Sequence, residues 1–179
     1  MDSQEKIDVT GFTLDAETYA LAEELFQLVR AGDTERLRGL FEMGLVPNLR
    51  NSAGDSLLML ASYHGHYETT RLILEQGGDP ELANNRGQTP LAGAAFKGDL
   101  AIAKLLIEHG ADINGRSSDG KTPLMFAAMF DRTAMIDLLL QNGADPTLAT
   151  EGGLTAVSLA QAMGAQQSLA RLITLGSHP

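Results

Sequence analysis

NNRGQTPLAGAAFKGDLAIAKLLIEHGADINGR, residues 84–116, is followed without a gap by SSDGKTPLMFAAMFDRTAMIDLLLQNGADPTLA, residues 117–149, and the two align along their full length. The same frame extends back over NSAGDSLLMLASYHGHYETTRLILEQGGDPELA (51–83) and forward over EGGLTAVSLAQAMGAQQSLARLITLG (151–176). Gly54, Gly87, Gly120 and Gly153 recur every 33 residues, as do Gly44, Gly77, Gly110 and Gly143. Glycines at fixed offsets mark one backbone turn repeated along the chain, so the fold is an array of a single supersecondary unit.

Each unit reads alike. After the first glycine, Thr89 or Thr122 stands as N-cap and Pro90 or Pro123 as first helical residue. That pair opens a helix by satisfying an orphan donor and presetting φ. The helix is short and small, with Ala94, Ala95, Ala127 and Ala128 where a neighbouring unit must come close, and Gly65, Gly98 and Gly164 break it. A second helix carries Leu72, Ile73 and Leu74, then Leu105, Leu106 and Ile107, then Leu138, Leu139 and Leu140. These triplets supply the apolar contact between units. The second helix ends at Gly77, Gly110 or Gly143, positions suited to a left-handed C′ residue.

QTPLAGAA, KTPLMFAA, HGAD and NGAD at this interval resemble the ankyrin repeat. The resemblance implies an all-α solenoid of about five stacked helix-turn-helix repeats, with loops projecting from antiparallel helix pairs and a concave face of loop tips and first helices. The family's His after TPL is replaced by Met59, Ala92, Met125 and Ser158. Hydrogen bonding that His gives between repeats is expected to be weaker or replaced. Residues 15–50 read as a capping repeat, 51–83, 84–116 and 117–149 as full repeats, and 150–179 as a second cap. The caps depart from the apolar pattern: Arg36, Arg38 and Gly39 stand where later repeats carry apolar residues of the second helix, and Gln166, Gln167, Ser168 and Arg171 make the last helix more polar. A terminal repeat has one face in water. Residues 1–14 read as an acidic tail.

Composition fits this frame. The chain has 179 residues, 44% of them apolar, but only three Tyr and six Phe, so thin layers of small side chains suit it better than a thick aromatic core. No cysteine is present, which removes disulfides, thiolate metal sites and a Cys nucleophile. Apolar runs are too short to cross a bilayer, and Met1 to Thr10 lacks the pattern of a secretory signal. The expectation is a cytoplasmic monomer, or one in the periplasm or elsewhere if a leader was removed, with no membrane partner. The net charge is −10, and more than half of the excess lies in Asp2, Glu5, Asp8, Asp15, Glu17, Glu23 and Glu24, opposed there only by Lys6. Such a balance repels phosphate backbones, so no nucleic-acid partner is expected.

Catalytic patterns are weak. His64, His66, His109 and His178 are badly spaced for a metal or an acid–base pair, and His64 and His66 would diverge on a helix. Asp79, Asp112 and Asp145 recur because one turn recurs. GDSLLML around Ser56 is superficially hydrolase-like, yet Ser56 falls at the N-cap of its repeat, and no phosphate-cradling glycine motif occurs. No catalytic residue, cofactor or metal is assigned.

Function is therefore sought where the repeats differ. Just before the breaking glycine, the frame places Tyr63 with His64, Phe96 with Lys97, and Met129 with Phe130. Stacked helices would set these about 10 Å apart as one stripe. The competing reading is that the aromatics pack on one another. Loop tips add variable polar residues, among them Asp55, Arg86, Gln88, Asp119 and Lys121. An apolar centre with a mixed-charge rim suits a protein partner. The leading expectation is a non-enzymatic module that binds another protein through its concave face, as an inhibitor or protective companion of an enzyme. The alternatives are a self-associating structural protein and an enzyme with a cryptic site between repeats.

Overall fold

The computed structural model describes residues 16–176, which form ten helices. The acidic tail and His178 lie outside the described residues. The helices come in pairs: α1 (Ala16–Ala31) and α2 (Thr34–Glu42), α3 (Leu57–Tyr63) and α4 (Tyr67–Glu75), α5 (Pro90–Lys97) and α6 (Leu100–Glu108), α7 (Pro123–Met129) and α8 (Thr133–Gln141), α9 (Ala156–Met163) and α10 (Gln166–Gly176). First helices pack on first helices and second helices on second helices, so the pairs stack in chain order into a solenoid.

The caps follow from the sequence. Thr89 and Thr122 accept hydrogen bonds from the N–H groups of Ala92 and Met125, with proline behind each cap, and Ser56 accepts from Met59 in the same way. Thr155 and Ser158 close a reciprocal capping box. Ala61, Ala94, Ala95, Ala127, Ala128 and Ala160 are wholly inaccessible, so backbone meets backbone between first helices. Ile73, Leu106 and Leu139, the centres or partners of the predicted apolar triplets, are equally buried and form the other half of one continuous core.

Two sets of hydrogen bonds join neighbouring repeats in this chain, which lacks the family His. On the loop side, Asn48 donates to the Gly77 carbonyl (3.3 Å) and accepts from the Asp79 N–H (2.8 Å). One repeat on, Glu81 accepts from the Asp112 N–H (2.8 Å), and after another Asn114 accepts from the Asp145 N–H (2.9 Å). Arg50 and Arg116 reach the carbonyls of Ala83 (2.6 Å) and Ala149 (2.8 Å), each 33 residues ahead. These bonds tie the turn of each repeat to its neighbour at the edge of the stack.

On the helix side the bonds are sequence-specific. His66 donates from Nε2 to the carbonyl of Arg30 (2.7 Å), and Arg132 donates to that of Phe96 (3.2 Å), both reaching back 36 residues. A β-carbon at Gly32 would lie 2.5 Å from the His66 ring, and one at Gly98 would lie 2.8 Å from Cδ of Arg132. The helix-breaking glycine of one repeat thus makes room for the side chain that ties down the next. Asp33 and Asp99, in the same place as His66 and Arg132, cannot donate and instead cap their own helices.

Asp131 departs from the pattern. It stands where Gly32, Gly65, Gly98 and Gly164 stand elsewhere, and is the one non-glycine residue with positive φ (57°) among the described residues. The next repeat explains why a β-carbon is tolerated: the residue that would crowd it is Ala165, which has no long side chain. Ala165 also cannot cap α10, and the Asp131 carboxylate does so across the repeat boundary, accepting from the Ser168 N–H at 2.7 Å. Asp131→Ala keeps the left-handed strain and loses the cap, so a loss of about 1–2 kcal/mol is expected in urea unfolding, with faster amide exchange at Ser168. Asp131→Gly loses only the cap and is expected to cost less.

Candidate functional site

The hairpin tips and the first helices meet along one side of the solenoid. The tips are held in register by the same turn: Gly54, Gly87, Gly120 and Gly153 all adopt φ between 68° and 78°. Neighbouring tips are joined, because the Asn85 N–H donates to the Ala53 carbonyl (3.2 Å) and the Ser118 N–H to the Arg86 carbonyl (3.1 Å). Side chains at the tips therefore project from a fixed backbone.

Between tips and helices lie two adjoining clefts. One of about 520 Å³ is lined by Asp55, Met59, Tyr63, Arg86, Gly93 and Phe96 among others. The next, of about 530 Å³, is lined by Gln88, Asp119, Lys121, Phe126, Met129 and Phe130, and shares Arg86, Gln88, Phe96 and Phe126 with the first. Nine of the residues singled out by the sequence line one cleft or the other, and His64 and Lys97 flank them: the Lys97 ammonium sits 4.7 Å over the Tyr63 ring, and His64 meets the edge of that ring at 5.9 Å.

The stripe is tighter than helix spacing predicts. Tyr63 stacks on Phe96 at 6.2 Å and Phe96 meets Phe130 edge-on at 4.4 Å, not at about 10 Å, because side chains lean across the gap between backbones. Phe130 lies one residue beyond the frame of Tyr63 and Phe96, at the C-cap of α7, and still reaches Phe96. The aromatics pack on one another and also keep exposed surface, with Tyr63 at 39%. His64 and His66 do not diverge; they stack at 6.1 Å, since His64 caps the end of α3 and His66 precedes α4, so no single helix carries both.

The rim is largely self-satisfied. Asn84 donates to Asp55 (3.0 Å) and to Gln88 (3.3 Å). Lys121 pairs with Asp119, and hydrogen bonds from Lys121 first and Ser117 second hold the Asp119 carboxyl below its usual range. Burial, with lesser effects of His66, Arg30 and Lys97, lowers the pKa of His64 and favours its neutral form. No group of three or more potential metal ligands occurs among the described residues, and no described helix is long and apolar enough to cross a membrane.

Gly93, Met59 and Phe126 line the clefts but were not marked as site residues by the sequence reading. The signal for Gly93 lies in its column, where Leu60, Phe126 and Leu159 occupy the other repeats from residue 51 onward. Glycine there removes a large side chain from the cleft floor between Tyr63 and Phe126.

Comparison with known families agrees with this architecture. A model of ankyrin repeats in three copies matches residues 25–117, and one of ankyrin repeats in many copies matches 106–160. The chain belongs to the ankyrin-repeat family. It is also 59% identical over 59 residues to a Pseudomonas aeruginosa protein named as an ankyrin repeat protein, a match covering 33% of this chain and 34% of the relative. The chain thus matches about a third of the length of that curated relative. Ankyrin repeats are modules of protein–protein interaction, and typically non-catalytic.

Two outcomes follow. A β-carbon at Gly93 would make ordinary contacts of 3.6 Å with Tyr63 and 3.7 Å with Met59, so Gly93→Ala is expected to raise stability by roughly 0.5–1 kcal/mol in urea unfolding, through helix propensity. His64 has a folded pKa below its unfolded value, so the unfolded chain takes up its proton first and stability falls as pH drops below 6.5. Unfolding at pH 7.5 and 5.5 is expected to show a smaller loss for His64→Gln than for the parent chain.

Proposed function

We propose that this chain is a non-catalytic interaction module whose protein partner seats on the concave face. Tyr63, Phe96, Met129 and Phe130 form the desolvated centre; Asp55, Arg86, Gln88, Asp119 and Lys121 form the rim, flanked by His64 and Lys97. The observation that carries this reading is the ladder of partly exposed aromatics running through two adjoining clefts. Aromatic surface held open on a fixed scaffold gains from being covered, and truncating such an anchor costs about 2 kcal/mol or more at an interface. The carboxylates at the clefts are engaged, Asp55 by Asn84 and Asp119 by Lys121, which favours binding over catalysis.

In a narrower form, the partner is an enzyme that the module inhibits or shields by covering an apolar surface. Self-association through the same ladder is the second reading, favoured by its exposed apolar surface; it predicts a mass that rises with concentration.

The test is capture on the immobilised chain, identification of the bound protein, and calorimetry with the purified pair. Tyr63→Ala, Phe96→Ala and Phe130→Ala combined are expected to weaken binding by about thirtyfold or more while the helical circular dichroism persists. Because these rings support one another, Tyr63→Ala alone serves as the milder variant. Undiminished affinity in a folded triple variant overturns the assignment of this face.

A further inference from the structure

Within the concave-face reading, on which this step rests, the two clefts differ from the rest of the groove in one electrostatic and one steric respect. The electrostatic one is Arg86. At the rim the carboxylates already have partners: Asp55 accepts from Asn84, and Asp119 from Ser117 and Lys121. Lys121 is neutralised by that same pair, and Lys97 lies over the Tyr63 ring. The Arg86 guanidinium has no hydrogen bond or ion pair among the described residues, yet it lines both clefts. Its backbone is pinned on both sides, with its N–H donating to Asn84 (3.0 Å) and its carbonyl accepting from Ser118 (3.1 Å). In a chain of net charge −10, an uncommitted cation on a pinned backbone lines two adjoining clefts whose walls are partly aromatic and partly polar.

The steric one is Gly93. In the column Leu60, Gly93, Phe126, Leu159, three of the four repeats from residue 51 onward carry a large apolar side chain and Gly93 carries none; the first repeat has exposed Gln27 there. The gap opens beside Tyr63 and Phe96, in the cleft of about 520 Å³ that Arg86 also lines. That size lies within the range of roughly 300–1,000 Å³ typical of ligand clefts. An interior helical glycine costs about 1 kcal/mol against alanine, and the cleft is what its absent side chain leaves open.

We propose that the partner inserts a segment carrying a bulky apolar side chain beside a carboxylate: the apolar group fills the space over Gly93 between Tyr63 and Phe96, and the carboxylate takes a bidentate bond from Arg86. Planar guanidinium donors match a carboxylate, and the pairing strengthens where apolar walls exclude water. The occupant is thus an acidic, apolar stretch of another protein.

Panning displayed random peptides on the full chain tests this, with selected sequences synthesised and measured by fluorescence anisotropy. Enrichment of Asp or Glu next to Leu, Met or Phe is expected. Gly93→Leu is expected to weaken the selected peptides tenfold or more, whereas Gly93→Ala should retain binding. Arg86→Glu, at an exposed tip and so harmless to folding, is expected to weaken them similarly, and panning on that variant should select Lys or Arg in place of the acid. Peptides that lose affinity with Tyr63→Ala but not with Arg86→Glu and Gly93→Leu overturn this assignment while leaving the concave-face reading in place. Peptides indifferent to all three variants, or no enrichment at all, count against both. Concentration-dependent self-association abolished by Gly93→Leu assigns the cleft to a second copy and overturns the proposal too.

Discussion

Close approach of the first helices governs the rest of this molecule. Ala61, Ala94, Ala95, Ala127, Ala128 and Ala160 are wholly buried, so successive helices meet with almost nothing between their backbones. At that spacing aromatic side chains at the helix ends come into ring contact, and hairpin tips come within hydrogen-bond reach of one another. Larger residues at these alanines would widen every layer, and interiors packed to native density have no slack to absorb that. Ladder, clefts and tip register all depend on the small side chains.

The chain sets the order of the layers, and directional bonds tie each layer to the next. Asn48, Glu81 and Asn114 bind the turn of the next repeat, whereas His66 and Arg132 bind the end of the preceding first helix. Each joins a side chain of one repeat to a backbone group of its neighbour. Asp131 shows how neighbouring repeats compensate one another: Ala165 both tolerates its β-carbon and leaves a helix end for its carboxylate to cap. In a solenoid such nearest-neighbour terms sum to much of the stability.

The groove acquires its character from departures within this regular frame. Gly93 takes away a floor residue where Leu60, Phe126 and Leu159 stand in three other repeats, and Arg86 is left uncommitted where neighbouring charges have partners. A regular scaffold makes such departures useful, because the surrounding backbone is held by the repeats and does not collapse into the space. Function on this fold resides in the residues that vary, not in those that repeat.

Much of the fold was legible in the chain itself. Thr-Pro pairs, glycines at fixed offsets and Leu triplets act through local sterics and hydrogen bonding, so helix starts, left-handed turns and core faces follow from near neighbours. Family membership follows from the same repeated signals. The sequence also marked half of the residues that line the clefts, by register. It could not give the ring distances, since these depend on how far side chains lean between layers, nor the stacking of His64 on His66 across a helix break. Asp131 and Ala165 compensate each other only once two repeats are superposed in space. Likewise Gly93 becomes a cleft floor, and Arg86 a cation without a partner, only when Tyr63, Phe96 and the neighbouring tips are assembled around them. Local chemistry is written in short stretches of chain; the space between layers belongs to residues about 33 positions apart.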